Sequence, residues 1–320
     1  GYIHVREKGE YIMKILVYGA GVLGCNLTRN LFRAGKDVTL LARGAWEKQI
    51  RENGLRIKDK FKPGMSVSHI PVVSGLTPED IYDVIFVVMR YTQIDTILDS
   101  LKANGTKNIV FVGNNVRAKE LTAQLPGKNV LFAFALSAGH REKEYVASID
   151  MKKITIGQLR GTHSNEQLIG QIFEGTKYKV VYEPNMEDYL LCHAAFVIPA
   201  AFACYKTDGD LKKLKGNTTY LNRLIDANIE GYLAIRNAGH DILPDADKDF
   251  ESSKYRKTCL IFFKLMCATS LGKICASDHA MNAIDEMSAL NRDLKAFYDE
   301  NGARYPVWQE LEKEAGKYLV

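Results

Sequence analysis

Three glycines in the stretch KILVYGAGVLGCNLTRNLFRAGKDVTLLAR, residues 14–43, constrain this chain more than any other feature of it. A short, β-rich apolar run stops at Gly19. A segment with helical spacing follows and closes at Gly35, and DVTLLAR reads as the next strand. Gly19, Gly21 and Gly24 stand in the order GxGxxG between the first strand and the helix. In that setting the first glycine permits a tight turn and the second lets the backbone approach a pyrophosphate. The third lets the helix pack closely on the sheet. The helix amino-terminus adds N–H groups that can hold an anion. Gly19, Ala20, Gly21, Val22, Leu23 and Gly24 are therefore expected to cradle a dinucleotide. An NAD site usually places an acid for the ribose diol at the end of the second strand. This chain has Leu41, Ala42 and Arg43 there. Arg43, with Lys48 nearby in sequence, can fork onto a 2′-phosphate, so NADPH/NADP is the expected cofactor.

Further β-like runs at 83–89, 108–113, 129–135 and 153–159 continue the pattern, and YTQIDTILDSLKANG between the first two has the length of a crossover helix. Alternating strands and helices predict a mainly parallel sheet covered on both faces. Ligands of such sheets gather beyond the carboxyl ends of the strands, where Arg90, Tyr91, Gln93, Asn114 and Asn115 fall. All five are candidates for the ligand site, since polar residues there either meet a ligand or cap the strand ends. After Pro184 and Asn185 the composition turns helical, with long segments at 186–205, 217–239, 253–269 and 278–301. The expected fold class is α/β: a Rossmann-like dinucleotide-binding domain over 13–184, then an all-helical second domain over 185–320 that holds the substrate. Residues 1–12 read as an extension too charged for a signal peptide.

The net charge of +5 comes from scattered Lys and Arg, with no basic tract to suggest a nucleic-acid partner. Six cysteines at 25, 192, 204, 259, 267 and 275 form no CxxC pair, so buried free thiols and no metal site are expected. No 18-residue apolar span is expected to cross a membrane, and a cytoplasmic protein is the default. The long helices are compatible with a homodimer or with an internal core. In MEDYLLCHAAFVIPAAFACYK, His193 is the titratable group in an apolar helix, either a satisfied core histidine or a proton donor to a carbonyl. Pro199 should kink or interrupt that helix by removing an amide donor. Downstream, His279, Asn282 and Glu286 recur at helical spacing and are candidates to share one substrate-facing side.

The order KILVYGAGVLG, LLARG, VVMRYTQ, the asparagine after NIVFVG and the closing AIDEMSALNRDL…NGARYPVW resembles the ketopantoate reductase (2-dehydropantoate 2-reductase) family over most of residues 13–318. The resemblance implies NADPH-dependent reduction of a small 2-keto acid, 2-dehydropantoate to pantoate in pantothenate biosynthesis. The hydride goes to the keto carbon, and a lysine early in the helical domain assists the oxygen. It also implies pyrophosphate binding by Gly19, Gly21 and Gly24, 2′-phosphate binding by Arg43, and Arg90 where a cofactor-side lysine is usual. Asn114 matches the asparagine near nicotinamide and substrate, while Asn115 replaces a glycine. Anchored on Pro199, the family lysine falls at Leu190 and its partner asparagine at Ala194. The late glutamate falls at Ala283, with Asp285 following, and the family serine at Ser270 or Ser277. Two readings stay open. In one, His193 supplies the proton or polarises the carbonyl in a divergent reductase of this or another carbonyl, and an imidazolium can do both. In the other, the protein binds NADP without catalysis.

Overall fold

Strand β1 (Lys14–Tyr18) is buried on both sides, so its continuous apolar run packs under helices rather than alternating. In the computed structural model, which describes residues 11–319, it pairs in parallel with β2 (Asp37–Leu41). The remaining strands are β3 (Leu55–Asp59), β4 (Ser66–Ser68), β5 (Val72–Val73), β6 (Val84–Val88), β7 (Asn108–Val112), β8 (Asn129–Arg141), β9 (Val146–Gly157) and β10 (Lys179–Tyr182). They form one sheet in the order β4-β3-β9-β8-β7-β6-β1-β2-β5, with β10 also paired to β9. The middle, from β8 to β5, is parallel as expected. The sheet as a whole is mixed, because β8 and β9 run antiparallel as a long hairpin and β3 pairs antiparallel with β4. The sequence reading caught only the apolar ends of that hairpin at 129–135 and 153–159. Its outer arms alternate with exposed residues and carry a weaker apolar signal.

Those arms matter for helix α1 (Val22–Arg33), which buries Asn26, Thr28, Arg29 and Asn30 as well as Cys25, Leu27 and Leu31. An ordinary surface helix would expose one polar face. Here α1 packs against β1 and β2 and also against β3, β8 and β9. Its buried polar groups are met by those outer strands. Asn26 Nδ2 donates to Ser137 Oγ at 2.7 Å, and Asn30 Nδ2 to Asp150 Oδ2 at 2.8 Å and Tyr178 OH at 3.1 Å. The Arg29 guanidinium reaches Asp59 at 2.9 Å and Asp150 at 3.4 Å. Ion pairing and hydrogen bonding together offset the cost of taking these charges out of water.

Helices α2 (Gly44–Asn53), α3 (Leu98–Ala103), α4 (Ala118–Gln124) and α5 (Glu166–Phe173) complete the first half. The crossover expected at 91–105 is a 3₁₀ turn at Tyr91–Ile97 followed by the six-residue α3, so the long helix expected there does not form.

The second half is helical: α6 (Met186–Lys206), α7 (Thr218–Asn237), α8 (Ser253–Ala268), α9 (Ile284–Glu300) and α10 (Pro306–Ala315). Helix α6 continues through Pro199. Contrary to the sequence expectation, α6 is long and apolar enough to cross a membrane by length and composition. However, 78 % of its most apolar 18-residue window is buried within the protein. Trp308 on α10 is fully buried, stands edge-on to Phe202 of α6 and donates through Nε1 to Asn291 Oδ1 at 2.9 Å. Glu230 of α7 accepts the Val307 and Trp308 N–H groups at 3.0 and 2.9 Å, which caps α10 in place of a local residue. The segment expected as one helix over 278–301 is broken at Ala283, with a short helix at Asp278–Asn282 before α9.

The chain divides into two compact units, one reaching to Gly113 and resuming at Ala118–Met186, the other Asn114–Arg117 with Glu187–Val320. Of the cysteines, Cys25, Cys192, Cys204, Cys259 and Cys267 are buried and free. The Cys275 side chain and residues 1–10 of the expected extension lie outside the described residues. Asp150→Ala, which strips a partner from the buried Arg29, is expected to lower unfolding stability by about 3 kcal/mol in urea titrations. Lys48→Ala, in the exposed pair with Glu52, is expected to change it by less than about 0.5 kcal/mol.

Candidate functional site

The glycine loop divides its labour by geometry. Gly19, at the end of β1, has φ +123°, and a Cβ there would lie 2.0 Å from the Val88 carbonyl oxygen of neighbouring β6. A Cβ on Gly24 would lie 1.9 Å from the Gly19 carbonyl oxygen, so this glycine lets α1 sit against the turn. Around Gly21 nothing lies within 4 Å of the corresponding position. Two glycines are thus demanded by the fold, and the third leaves open space where a ligand can approach the backbone.

That space adjoins the amino-terminus of α1. Its N-cap is Gly21, no side chain caps it, and its first turn carries no acid. The first bond within the helix runs from Cys25 N–H to Gly21 C=O at 2.9 Å, which leaves the N–H groups of Val22, Leu23 and Gly24 oriented outward for an anion. The peptide between Gly19 and Gly21 is pinned from behind. The Ala20 carbonyl accepts from Trp46 Nε1 at 2.9 Å and from the Cys25 thiol at 3.4 Å. Burial pushes the Cys25 thiol up to about 12, so it is a packing and hydrogen-bonding group with no nucleophilic character. Trp46 was absent from the sequence reading, since nothing in its spacing marks a residue that bonds a loop 26 positions away.

Arg43 is exposed just beyond β2. Its Nη2 donates to the Tyr18 hydroxyl at 2.8 Å, and the guanidinium carbon lies 5.9 Å from the Tyr18 ring centroid. The charge is therefore held beside the residue that precedes Gly19, a fixed position suited to a phosphate. Lys48 instead faces Glu52 at 3.9 Å. Arg90 and Gln93 are exposed at the 3₁₀ turn beyond β6. An open cradle, helix amides without partners in the helix and a held cation fit the phosphates of a dinucleotide.

Asn114 and Asn115 follow Gly113 at the end of β7 and are 9 % and 3 % exposed. Asn115 Oδ1 accepts the Arg117 N–H at 2.8 Å, while Asn114 Oδ1 and Asn115 Nδ2 are buried with no hydrogen-bond partner among the described residues. Unsatisfied buried amides cost stability, and they are common where a ligand completes the bonding. Arg117, two residues on, faces Asp293 at 4.0 Å.

Within the helical unit, Leu190, Ala194 and Ala283 are all buried, at 2 %, 1 % and 3 % exposure. His193 lies on a different side of α6. At 100° per residue, the face shared by Tyr189, His193 and Phe196 is about 120° round the helix from that of Leu190 and Ala194. His193 stacks on Tyr189, with ring centroids 6.4 Å apart and planes within 8°. Both line a cavity with residues of α7 and α8. Burial lowers the His193 pKa to about 4, which favours the neutral ring, the form a core histidine takes, over the imidazolium of the alternative reading. His279 and Glu286 approach to 3.8 Å across the break at Ala283, with His279 exposed and Glu286 buried. Asn282, also exposed, ends the short helix, so the three share no single helical face.

The sequence reading missed a cluster at the start of α6. Ligating atoms of Glu187, Asp188 and His240 lie within 4.8 Å of one another. Asp188 meets His240 Nδ1 at 2.6 Å and accepts the Asp241 N–H at 2.7 Å, which ties α6 to the segment after α7. No spacing rule reaches across 52 residues to find this pair.

Residues 15–161 match the family described as ketopantoate reductase PanE/ApbA. No curated protein matches the sequence. Among solved structures, 2-dehydropantoate 2-reductase from Geobacter metallireducens GS-15 superposes with a TM-score of 0.77 at 17 % identity, covering 95 % of this chain and 99 % of that one. The ternary structure of D-mandelate dehydrogenase with NADH and anilino(oxo)acetate gives 0.73 at 15 %, covering 96 % and 98 %. Dimeric ketopantoate reductase from Staphylococcus aureus gives 0.72 at 12 %, covering 96 % and 99 %. At these identities the likeness is one of fold, and it extends over both halves of the chain.

Gly21→Ala is expected to leave thermal stability within about 0.5 kcal/mol of the parent, as a substitution into open space. Its affinity for a dinucleotide, read by quenching of intrinsic fluorescence, should fall by about tenfold, or 1.4 kcal/mol. Gly24→Ala, forced against a backbone oxygen, is expected to cost more than about 2 kcal/mol of stability.

Proposed function

Because the chain belongs, through residues 15–161, to the ketopantoate reductase family of oxidoreductases, we propose that it is an NADPH-dependent reductase of a small 2-keto acid, with 2-dehydropantoate as the first candidate substrate and pantoate as its product. The observation that carries this reading is the glycine loop, with open space at Gly21 beside an uncapped helix amino-terminus. The D-mandelate dehydrogenase relative, which holds NADH and an oxoacetate ligand, supports the same substrate class.

The nicotinamide, when bound, supplies the hydride to the keto carbon. This chain's residues then have separable tasks. The amides of Val22, Leu23 and Gly24 hold the pyrophosphate, and Arg43 forks onto the 2′-phosphate and selects NADPH over NADH. Arg90 and Gln93 border the cofactor. The buried amide of Asn114 directs its N–H groups to the carbonyl oxygen, with Asn115 beside it. Leu190 has no proton to give, and His193 is neutral and on another face of α6, so in this reading the proton comes from solvent. A homodimer belongs to the same reading, supported by the dimeric Staphylococcus aureus relative and by Ile261 and Leu265, 60 % and 58 % exposed on α8.

A second reading draws on Leu190, Ala194 and Ala283 each being apolar and buried: the chain binds NADPH without turning over a keto acid. An assay of NADPH oxidation across a panel of 2-keto acids separates the two, with substrate-dependent oxidation expected. Tight NADPH binding with no oxidation on any substrate would instead establish the second reading. In the same assay Arg43→Ala is expected to reduce the preference for NADPH over NADH by about tenfold or more. His193→Gln is expected to keep turnover within about twofold, and a loss beyond about tenfold would restore His193 as the proton source.

A further inference from the structure

Helices α6, α7 and α8 and the segment 243–249 enclose a cavity of about 450 Å³, within the size range of small-molecule sites. Five of its fifteen lining residues are Tyr or Phe: Tyr189 and Phe196 from α6, Tyr232 from α7, Tyr255 and Phe262 from α8. These rings are held in place before any ligand arrives. Tyr255 OH donates to Asn228 Oδ1 at 2.6 Å, and Tyr232 OH donates to Asp247 Oδ2 at 2.8 Å. Phe196 and Phe262 lie 5.6 Å apart, and Tyr232 and Tyr255 6.2 Å apart.

The charge around the rings is negative. Asp247 and Asp249 line the cavity, and the stretch DILPDADKDFE at 241–251 sets five acids against one lysine. Lys248 is already paired with Asp245 at 2.8 Å, and Glu251 with Arg236 at 2.7 Å. The lining cation is Lys254, exposed at the start of α8, and the neutral His193 ring adds no positive charge. Aromatic faces carry the negative side of the ring quadrupole and attract cations. Two carboxylates and several ring faces together repel an anion. A neutral guest would deepen the burial of Asp247 without compensating its charge.

We propose that this cavity binds a small organic cation, an ammonium group on an apolar or aromatic stem, with the rings around the stem and Asp247 as its counter-charge. Burial raises the Asp247 pKa, and a bound ammonium would offset that penalty. The site is independent of the oxidoreductase reading, because every residue in it belongs to the helical unit and none to the unit that carries the glycine loop.

Calorimetric titration of the full chain with phenethylammonium chloride and with tetramethylammonium chloride tests the site. Saturable binding with a Kd at or below about 1 mM is expected for phenethylammonium. The neutral 2-phenylethanol and the anionic 3-phenylpropanoate are expected to bind at least about tenfold more weakly. Asp247→Asn should weaken phenethylammonium binding about tenfold, and Phe262→Leu, at a ring already 45 % exposed, by several-fold with the melting temperature retained. Equal binding of 2-phenylethanol, tighter binding of 3-phenylpropanoate, or no saturation by about 10 mM would overturn the assignment. So would a folded Asp247→Asn that binds phenethylammonium unchanged. If Asp247→Asn does not fold, the discrimination among the three phenyl ligands on the native protein decides.

Discussion

A guanidinium with 1 % exposure anchors the helix on which the candidate cofactor site depends. Arg29 sits in the middle of α1, bonded to Asp59 on β3 and to Asp150 on β9. Such a charge is tolerable only while its partners stay in register, because removing one leaves the other uncompensated in a medium that solvates it poorly. The constraint runs in both directions. It fixes the outer strands relative to α1, and it fixes α1 along its own axis, so that the amino-terminal turn meets the glycine loop where Gly24 touches the Gly19 carbonyl. The bonds of Asn26, about one turn before Arg29, and of the adjacent Asn30 add further links to β8 and β9. A helix usually positioned by apolar packing is held here by a buried polar network, which is less forgiving of displacement.

The two halves of the chain stand in different relations to the chemistry. The first half offers an open anion cradle with a held cation at Arg43. In the second half, Leu190 and Ala194 of α6 are apolar and packed as core. Hydride transfer resides in a cofactor, so the reaction class can survive a change in the residues around the carbonyl. Substrate choice has no such protection, because it is set by the groups that line the pocket. One group of polar and aromatic residues of the helical unit lies on the other side of α6, around Tyr189, His193, Tyr232 and Asp247.

Much of the fold was legible because its signals are local. The apolar run before Gly19, the spacing of the three glycines and the turn to helical composition after Pro184 each depend on residues a few positions apart. The reading failed where partners are remote or patterns are weak. The outer arms of β8 and β9 alternate too loosely to stand out, and the polar face of α1 read as an ordinary solvent face because Asp59 and Asp150 lie 30 and 121 residues further on. The break at Ala283 was missed because no proline or glycine marks it; the backbone leaves helical geometry there at φ −125° and ψ 40°. His279, Asn282 and Glu286 therefore lost the shared face that helical spacing assigned them.

The sequence by itself determined the class of ligand: GxGxxG between a strand and a helix, with arginine in place of an acid after the second strand, is a statement about backbone sterics and charge that needs no third dimension. Only the tertiary structure decided what His193 is. Its place on one side of α6 or another, and the loss of water that lowers its pKa to about 4, depend on what α7 and α8 pack against it. Protonation and direction are properties of an environment assembled from distant residues, so one titratable side chain in an apolar helix left both undetermined.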